Sequence, residues 1–290
     1  MVGGLLLSMR PKQWVKNLLV FAALIFSKNL VHVPSVLKSV AAFAVFCVLS
    51  GAVYIINDLM DREGDRSHPR KRNRPIASGK VKPGPAVAWA AVSVAGSLVA
   101  AWFIDWRFCA IGAGYFVMQL AYSVRLKHVV VLDVIIVAIG FALRAIAGTF
   151  AINVGVSSWL FVVTLLLALF VAVAKRRHEL VNLEGGGITH RSVLGKYSQS
   201  LLDQMMAVAT SATVVAYCLY TIAPETVQKF GSRYLIFTLP FVLYGIYRYL
   251  YLVYRKEQGG TPEKVFLTDV PMIVDIVLYG ASVVLVLYVF

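Results

Sequence analysis

The apolar residues of this chain come in blocks of about twenty, a feature that constrains the fold more strongly than any other. A helix of ~20 apolar residues spans the ~30 Å hydrocarbon layer of a membrane. Hydrophobic residues fill 59% of the 290 positions and charged residues only 14%, which is more apolar material than a soluble domain of this length needs. The sequence therefore predicts an all-α, polytopic membrane protein.

Hydropathy predicts nine transmembrane helices within a single membrane domain that covers residues 1–290. The spans lie at about 14–31, 36–57, 84–104, 107–124, 131–150, 156–174, 205–223, 234–252 and 271–290. The longer connections are expected to be cytoplasmic loops, at about 58–83, 175–204 and 253–270.

The formal net charge of +14 is explained mainly by membrane topology. Of the 28 Lys and Arg residues, 22 lie in or beside the N-terminal segment and the connections after the even-numbered spans, which include the three long ones. Five lie in or beside the short connections after the odd-numbered spans, and Arg144 lies inside a span. Cytoplasmic loops are rich in Lys and Arg, so the N-terminus and the long loops are expected inside the plasma membrane and the C-terminus outside. No nucleic-acid partner is then needed, and an anionic, phosphate-rich substrate is the second source of the charge.

An acidic motif follows the second span. Asn57, Asp61 and Asp65 are spaced i, i+4, i+8, with Asp58 beside them, so a helix that continues past the membrane would place them on one face. Carboxylates at a helix C-terminus repel one another and meet the negative end of the dipole, so the cluster needs a cation. Carboxylate and amide oxygens suit Mg²⁺. The alternative is a solvated acidic loop whose charge is offset by neighbouring arginines.

The connection that continues from this motif, residues 66–79, is dense in arginine and lysine. It could serve topology alone, or its arginines could bind phosphates through paired hydrogen bonds. Arg74 is the candidate phosphate ligand, because it adjoins the rigid Pro75 and the turn-forming Ser78 and Gly79.

These residues resemble the UbiA superfamily of intramembrane prenyltransferases. Its members are bundles of nine helices around a cytoplasm-facing polar cavity, with an Asn-Asp-x-x-Asp-x-x-x-Asp motif after the second helix that binds Mg²⁺ and a diphosphate. Asn57, Asp58, Asp61 and Asp65 complete that motif here, and the stretch Arg74–Gly79 is shared as well. The resemblance implies this fold, Mg²⁺ as the cofactor, and these four residues as the metal site, with Asp58 and Asp61 catalytic.

The chain departs from the aromatic-acceptor members after the sixth span, where those enzymes usually have a second aspartate-rich motif. It reads Lys175-Arg176-Arg177-His178-Glu179 instead, with one carboxylate among three fixed positive charges. A site changed from acidic to basic is expected to bind different phosphate chemistry. Lys175 and Arg176 are therefore the expected catalytic cations.

The matching segments point to the decaprenyl-phosphate phosphoribosyltransferase branch of the superfamily. They extend over most of the chain, at residues 10–17, 122–127, 132–133, 140–148, 175–179, 260–263 and 269. The resemblance implies that phosphoribose passes from 5-phosphoribosyl 1-diphosphate (PRPP) to a decaprenyl-like polyprenyl phosphate, with release of diphosphate. The product, a polyprenyl-phosphoryl 5-phosphoribose, would serve cell-envelope polysaccharide synthesis.

The chemistry of this reaction fits the residues. The diphosphate leaving group needs charge neutralisation, which Mg²⁺ and cationic side chains supply. The lipid phosphate is already an anion near neutral pH, so an oxocarbenium-like ribosyl transfer needs no general base. The available cations are Lys16, Arg74, Arg125, Lys127, Lys175, Arg176 and Arg177.

The residues expected to bind substrate are Lys16, Asn17, Tyr54, Asn57, Arg74, Tyr122, Ser123, Lys127, Arg144 and Glu179. Some have a structural alternative: Lys16 could extend to lipid headgroups, and Tyr122 could anchor the membrane interface. Lys175 and Glu179, one turn apart, could form a surface salt bridge.

Two arginines in predicted spans have open roles. Arg144 follows Asp133 by 11 residues, roughly 16 Å along a helix, which excludes a direct pair between the two. A charge at this depth faces a partner or a polar cavity, and both alternatives stand. Arg248 could contact a phosphate, or it could pair with Asp269 or Asp275.

Two other functions compete with phosphoribosyl transfer. An aromatic-acceptor prenyltransferase with a polyprenyl diphosphate donor shares the fold and the first motif, and the missing second aspartate motif argues against it. A non-catalytic lipid-phosphate carrier would be expected to show paired broken helices in repeated halves, which the sequence lacks. The expected partners are PRPP, polyprenyl phosphate and membrane lipid, and a homo-oligomer is compatible with the sequence.

Overall fold

A computed structural model describes residues 2–67, 69, 71–184 and 193–289 of the chain. The described residues are helical and contain no strand, which confirms the predicted fold class. The α-helices are α1 (Val2–Ser8), α2 (Ala22–Phe26), α3 (Val33–Met60), α4 (Arg62–Ser67), α5 (Pro83–Ile104), α6 (Trp106–Val124), α7 (Leu132–Ala151), α8 (Ser158–Glu184), α9 (Gln199–Ile222), α10 (Pro224–Phe230), α11 (Leu239–Arg255), α12 (Pro262–Thr268) and α13 (Val270–Tyr288). Two longer 3-10 helices, Pro11–Phe21 and Tyr234–Thr238, lead into α2 and α11.

Seven helices of the described residues are long and apolar enough to cross a membrane: α3, α5, α7, α8, α9, α11 with its preceding 3-10 turn, and α13. The two other predicted spans differ in kind. The span predicted near 14–31 is built from the 3-10 helix Pro11–Phe21 and the short α2. The span predicted near 107–124 is α6, which has the length but is less apolar, because it holds Arg107 in its first turn and Gln119 in its second half. The chain is a multi-pass membrane protein.

Side-chain caps and prolines set where several helices begin. Oxygens of Asp105, Ser198 and Asp269 accept hydrogen bonds from first-turn backbone N–H groups of α6, α9 and α13. Such caps satisfy donors that have no partner within the helix. Pro34 and Pro83 stand in the first turns of α3 and α5, where the missing N–H of proline costs nothing.

The predicted cytoplasmic connections contain more helix than expected. α4 lies inside the first connection, and α12 lies inside the third. In the second, α8 continues to Glu184, so the basic segment Lys175–Glu179 is helical; residues 185–192 fall outside the described residues. The polar residues of these connections therefore lie largely on helices, which fix side-chain directions better than a loop does.

The helices group into two compact units. The first consists of Met1–Ile136 and Leu143–Val156, and the second of Val137–Ala142 and Ser157–Phe290. That the whole chain forms one membrane domain stays a prediction.

The core of the first unit joins α3, α6 and α7. The ring of Phe46 packs against Phe108 and Tyr115, with centroids 5.7 and 5.6 Å away. On α7, a Cβ added at Gly148 would lie 2.1 Å from the backbone oxygen of Val20, so only glycine allows this helix to pack so closely on the 3-10 segment. This contact fixes the segment that carries Lys16 and Asn17.

The second unit is held by aromatic packing among α8, α11 and α12. The buried ring of Tyr249 meets Phe170 edge-on at 5.4 Å and stacks on Phe266 at 5.7 Å. These contacts bind the short α12 to the cytoplasmic halves that the sequence predicts for α8 and α11. Gly259 and Gly260, in the connection after α11, lie close to His178, so this connection packs against the basic segment of α8.

Candidate active site

The acidic motif lies where α3 gives way to α4. The backbone N–H of Asp61 donates to the carbonyl of Asn57 at 2.9 Å, and that of Asp65 donates to the carbonyl of Asp61 at 2.8 Å. Helical turns therefore continue through the motif, as predicted.

Two of the three predicted aspartate ligands are buried and bound by arginine. Asp58 and Asp65 are 2% and 4% exposed. One nitrogen, Nη1 of Arg74, donates to Asp65 at 2.5 Å and to Asp58 at 3.0 Å. The same oxygen of Asp58 also accepts from Nη2 of Arg10 at 2.5 Å. Both carboxylates thus converge on one cation, and Asp58 carries a second.

The other half of the motif faces outward. The side chain of Asp61 is 46% exposed and pairs with Nζ of Lys127 at 2.7 Å. The side-chain oxygen of Asn57 contacts the hydroxyl of Ser123, near the end of α6. The structure therefore brings predicted residues from three segments of the first unit together.

Helix geometry explains why the motif divides. Seven residues make nearly two turns, so Asp58 and Asp65 point within about 20° of each other, whereas Asn57 and Asp65 differ by about 80°. The buried face therefore holds the pair spaced by seven, and the sequence prediction of one face through Asn57, Asp61 and Asp65 is corrected. Asp65 shares its partner with Asp58 instead.

The motif offers Mg²⁺ fewer donors than the four predicted ligands. Among the described residues, no group of three or more His, Cys, Asp or Glu side chains is arranged to hold a metal ion. Mg²⁺ takes one or two protein carboxylates and completes its shell with water and phosphate oxygens. The exposed carboxylate of Asp61 and the amide oxygen of Asn57 satisfy that smaller requirement. A cage of all four predicted ligands is not formed by these side chains.

Arg10 is part of this cluster, although the sequence did not predict it as a site residue. Its backbone is left-handed, with φ 53° and ψ 64°, and its guanidinium lies 4.8 Å from the ring centroid of Tyr54. The signal available in the sequence was its place at the head of the matching segment 10–17. Tyr54, predicted to bind substrate, supports this arginine.

The loop that supplies Arg74 is held by its own backbone and by α4. The N–H of Val81 donates to the carbonyl of Pro75 at 2.9 Å, and Nε of Arg66 donates to the carbonyl of Ala77 at 3.3 Å. Ile76 between them is fully buried. The predicted importance of the stretch Arg74–Gly79 therefore has a structural cause, because its packing fixes the direction of Arg74.

Arg144 lies in a buried polar network of the first unit. Its Nε donates to the side-chain oxygen of Asn17 at 2.7 Å, and its Nη2 donates to the hydroxyl of Tyr115 at 2.7 Å. The amide of Asn17 in turn donates to Ser50 at 3.2 Å. Asn17 is 1% and Arg144 5% exposed, so their contacts support pairing inside the protein, the first of the two alternatives left open for this arginine.

The basic segment at the end of α8 combines local and distant partners in the second unit. Nη1 of Arg176 donates to Glu179 at 2.8 Å, within one turn. Nε of Arg177 donates to Asp203 on α9 at 2.5 Å, and its guanidinium lies 4.1 Å from the ring centroid of Tyr254 on α11. Glu179 therefore pairs with Arg176, and Arg177 joins three helices.

Three remaining predicted residues are half-buried: Lys16 and Tyr122 in the first unit, and Lys175 in the second. The open assignment of Arg248 is resolved, since two of its nitrogens donate to the two oxygens of Asp269 at 3.1 and 2.9 Å. That pair bridges α11 and the start of α13.

Comparison with known proteins identifies the family of the chain. A model described as the UbiA prenyltransferase family matches residues 17–270. Decaprenyl-phosphate phosphoribosyltransferase of Mycolicibacterium smegmatis is 36% identical over 280 residues, which cover 93% of this chain and 87% of that protein. The protein of the same name from Corynebacterium glutamicum is 36% identical over 274 residues, which cover 92% of this chain and 81% of that protein.

Among solved structures, a UbiA homologue from Archaeoglobus fulgidus bound to GPP and Mg²⁺ has a TM-score of 0.72. It is 20% identical and covers 98% of this chain and 99% of its own. At that level of identity the likeness shows the shared fold.

Proposed function

Since the chain belongs to the UbiA prenyltransferase family, we propose that it joins PRPP to a polyprenyl phosphate and releases diphosphate. Relatives with the name of that activity match more than nine-tenths of the chain. The product would be a polyprenyl-phosphoryl 5-phosphoribose, a precursor suited to cell-envelope polysaccharide synthesis.

The observation that carries the proposal is the contrast between the two polar helix ends. The end of α3 gathers carboxylates and arginines, whereas the end of α8 presents Lys175, Arg176 and Arg177 with Glu179 as the one carboxylate. A donor diphosphate with Mg²⁺ suits the first, and an anionic phosphate suits the second. A polyprenyl diphosphate donor with an aromatic acceptor would not require this excess of positive charge on α8, because an aromatic acceptor brings no second phosphate.

The residues of the first unit would bind and orient the donor. Asp61 and Asn57 would hold Mg²⁺, which neutralises charge at the leaving diphosphate when bound. Lys127 pairs with Asp61 and Arg74 with Asp58 and Asp65, and both cations are partly exposed, at 16% and 27% of the side chain. Cations fixed before the reaction stabilise a leaving anion without reorganisation.

The acceptor needs no activation by this chain. A lipid phosphate is already anionic near neutral pH, so its oxygen can attack C1 of the ribose directly as the C1–diphosphate bond breaks. Lys175 and Arg176 would hold that phosphate, and Arg177 would keep α8 in place through Asp203. Ser123 and Tyr122 would provide hydroxyls for the ribose.

The orientation in the membrane is part of the proposal. The basic N-terminal segment and long connections favour an orientation in which the N-terminus and the active site would face the cytoplasm and the C-terminus would lie outside. That side is where a water-soluble sugar diphosphate is available.

Purified protein incubated with radiolabelled PRPP, decaprenyl phosphate and Mg²⁺ tests the reaction. We expect label to enter a lipid product and unlabelled diphosphate to be released in equal amount. A parallel reaction contains a polyprenyl diphosphate and an aromatic acid. Prenylation of the acid, without labelled lipid in the first reaction, would overturn the proposal; lipid binding without turnover in either would favour a carrier.

A further inference from the structure

One oxygen of Asp58 accepts hydrogen bonds from two arginines that are distant in sequence. Nη2 of Arg10 approaches it at 2.5 Å and Nη1 of Arg74 at 3.0 Å. Two guanidinium groups repel each other, so a buried carboxylate between them is what allows both to stay at one place. The charge of the buried Asp58 is thus already neutralised by two arginines, without a metal ion.

Arg10 is held from three directions. Its left-handed backbone is uncommon for a residue with a side chain, and such strain persists where the surroundings enforce it. The ring of Tyr54 lies under the guanidinium, and Asp58 binds one end of it. Pro11 follows directly and opens the 3-10 helix, so the chain direction changes at Arg10 itself.

The guanidinium of Arg10 retains capacity for a further ligand. Its side chain is 30% exposed, whereas that of Asp58 is 2% exposed, so the pair presents its cationic side outward. Arginine has five N–H donors, and the contact with Asp58 uses one nitrogen. The exposed donors fit the oxygens of a phosphoryl group.

We propose that Arg10 binds a phosphoryl oxygen of the substrate beside Arg74, and that Asp58 is the positioning residue that holds both arginines. This inference rests on the proposed function for the identity of the substrate. The ligand chemistry, a phosphate oxyanion, could belong to the donor diphosphate or to the lipid phosphate. Kinetic constants measured for each substrate separately distinguish these two sources.

The first test compares two variants that each remove one positive charge from the same segment. Arg10→Gln is expected to raise the KM of one substrate roughly ten- to hundredfold, the loss expected for one hydrogen bond to a charged group. Lys12→Gln is the matched control, because Lys12 is exposed and lies two residues away. A rise in the KM of PRPP assigns Arg10 to the donor, and a rise in that of decaprenyl phosphate assigns it to the lipid. Unchanged constants for both substrates would overturn the proposal.

The second test separates positioning from metal binding. Asp58→Asn is expected to raise the same KM as Arg10→Gln, with little added effect in the double variant, and to leave the half-saturating Mg²⁺ concentration unchanged. If Asp58 were a metal ligand, that concentration would rise and excess Mg²⁺ would restore the KM, which would refute the positioning role. Arg10→Lys keeps the charge on the same backbone and provides an intermediate KM if Arg10→Gln folds poorly.

A binding measurement needs no turnover. Thermal stabilisation of the detergent-solubilised protein by inorganic diphosphate is expected to require roughly tenfold more ligand in Arg10→Gln than in Lys12→Gln. If wild-type protein binds diphosphate in this way but makes no labelled lipid, the proposed reaction fails while the role of Arg10 stands. Equal stabilisation of both variants would exclude a contact between Arg10 and the donor diphosphate, and together with an unchanged KM for decaprenyl phosphate it would contradict the role of Arg10.

Discussion

The charged side chains near the ends of α3 and α8 have opposite sign and are neutralised by partners at different sequence separations. At the end of α3, carboxylates are held by cations from far along the chain: Arg74 is 16 residues from Asp58, Arg10 is 48, and Lys127 is 66 from Asp61. At the end of α8, Arg176 is held by Glu179 within one helical turn. The acidic site therefore depends on tertiary structure, whereas the basic site is partly organised by its own helix.

This difference follows from the charges themselves. Carboxylates at a helix C-terminus face the negative end of the dipole, so they need external cations. Arg176 lies about two turns before the last residue of α8, and its partner Glu179 is within the same helix. Variants at the end of α3 are accordingly expected to have the larger effects on both activity and folding.

Asp61→Asn is the variant with the largest expected effect. It removes the exposed carboxylate of the motif together with its pair to Lys127, and kcat is expected to fall at least about a hundredfold, as when one group that stabilises developing charge is lost. The assay is formation of labelled lipid from PRPP, and folding is checked by thermal melting. Asp105→Asn, at the start of α6, is the control and is expected to retain wild-type turnover. Normal turnover in Asp61→Asn would refute its proposed role.

Arg74→Met comes next, and its effect is on stability as well as activity. It leaves the buried Asp58 and Asp65 without their shared partner, and removal of one member of a buried pair costs about 3 kcal/mol or more. The melting temperature in detergent should fall well below that of Arg72→Met, which removes an exposed arginine of the same loop. Equal melting temperatures would show that the arginine is not what stabilises this motif.

Gly260→Ala tests whether the basic segment also depends on distant backbone. A Cβ at this position would lie 2.3 Å from Cδ2 of His178, so the loop after α11 or the ring on α8 must move. Overpacking of this kind costs roughly 1–3 kcal/mol, and the second substitution His178→Ala should restore most of it. Gly195→Ala, where the added methyl meets no atom within 4 Å, is the control for melting. If Gly260→Ala melts like that control, the segment needs no support from the loop.

Much of the fold and part of the site followed from the sequence, for identifiable reasons. Length and apolar content fix membrane helices such as α3, and local spacing places Asp61 and Asp65 on continuing turns. The pairing of Arg10 with Asp58 was not predictable, because it depends on how segments 48 residues apart pack. That Asp58 and Asp65 share a partner could have been predicted more easily, because residues seven apart lie nearer to two whole helical turns than residues eight apart.

The missed pairs have one physical cause. Hydropathy and periodicity report which face of a helix is buried, but not which distant side chain meets it. Arg177 on α8 illustrates this limit, since its partner Asp203 lies on α9, 26 residues away. Lys175–Glu179, a pair suggested by spacing of one turn, competes with Arg176–Glu179, which has almost the same spacing.

The pair Arg248–Asp269 joins residues 21 apart in sequence. Its loss has the smallest expected effect on stability among these predictions. The side-chain hydrogen bond from Arg248 lowers the pKa of Asp269 below its ordinary value of 3.8, so the pair stabilises the fold at neutral pH. That contribution is complete above the ordinary pKa and is lost as the pH falls through the lower, folded-state pKa. Asp269→Asn keeps an acceptor for the N–H of Met272 while it removes the charge.

We expect Asp269→Asn to be less stable than wild type at pH 7 by about 1 kcal/mol or less, the range of a partly exposed ion pair. Thermal melting in detergent from pH 7 down to the acid limit of folding measures the difference. The two proteins should converge only below the ordinary pKa of an aspartate, because a protonated Asp269, like the asparagine, has lost both the charge and one of the two acceptor oxygens for Arg248. A difference in melting temperature that persists unchanged at the acid end would mean that packing, rather than charge, accounts for the stability of this contact.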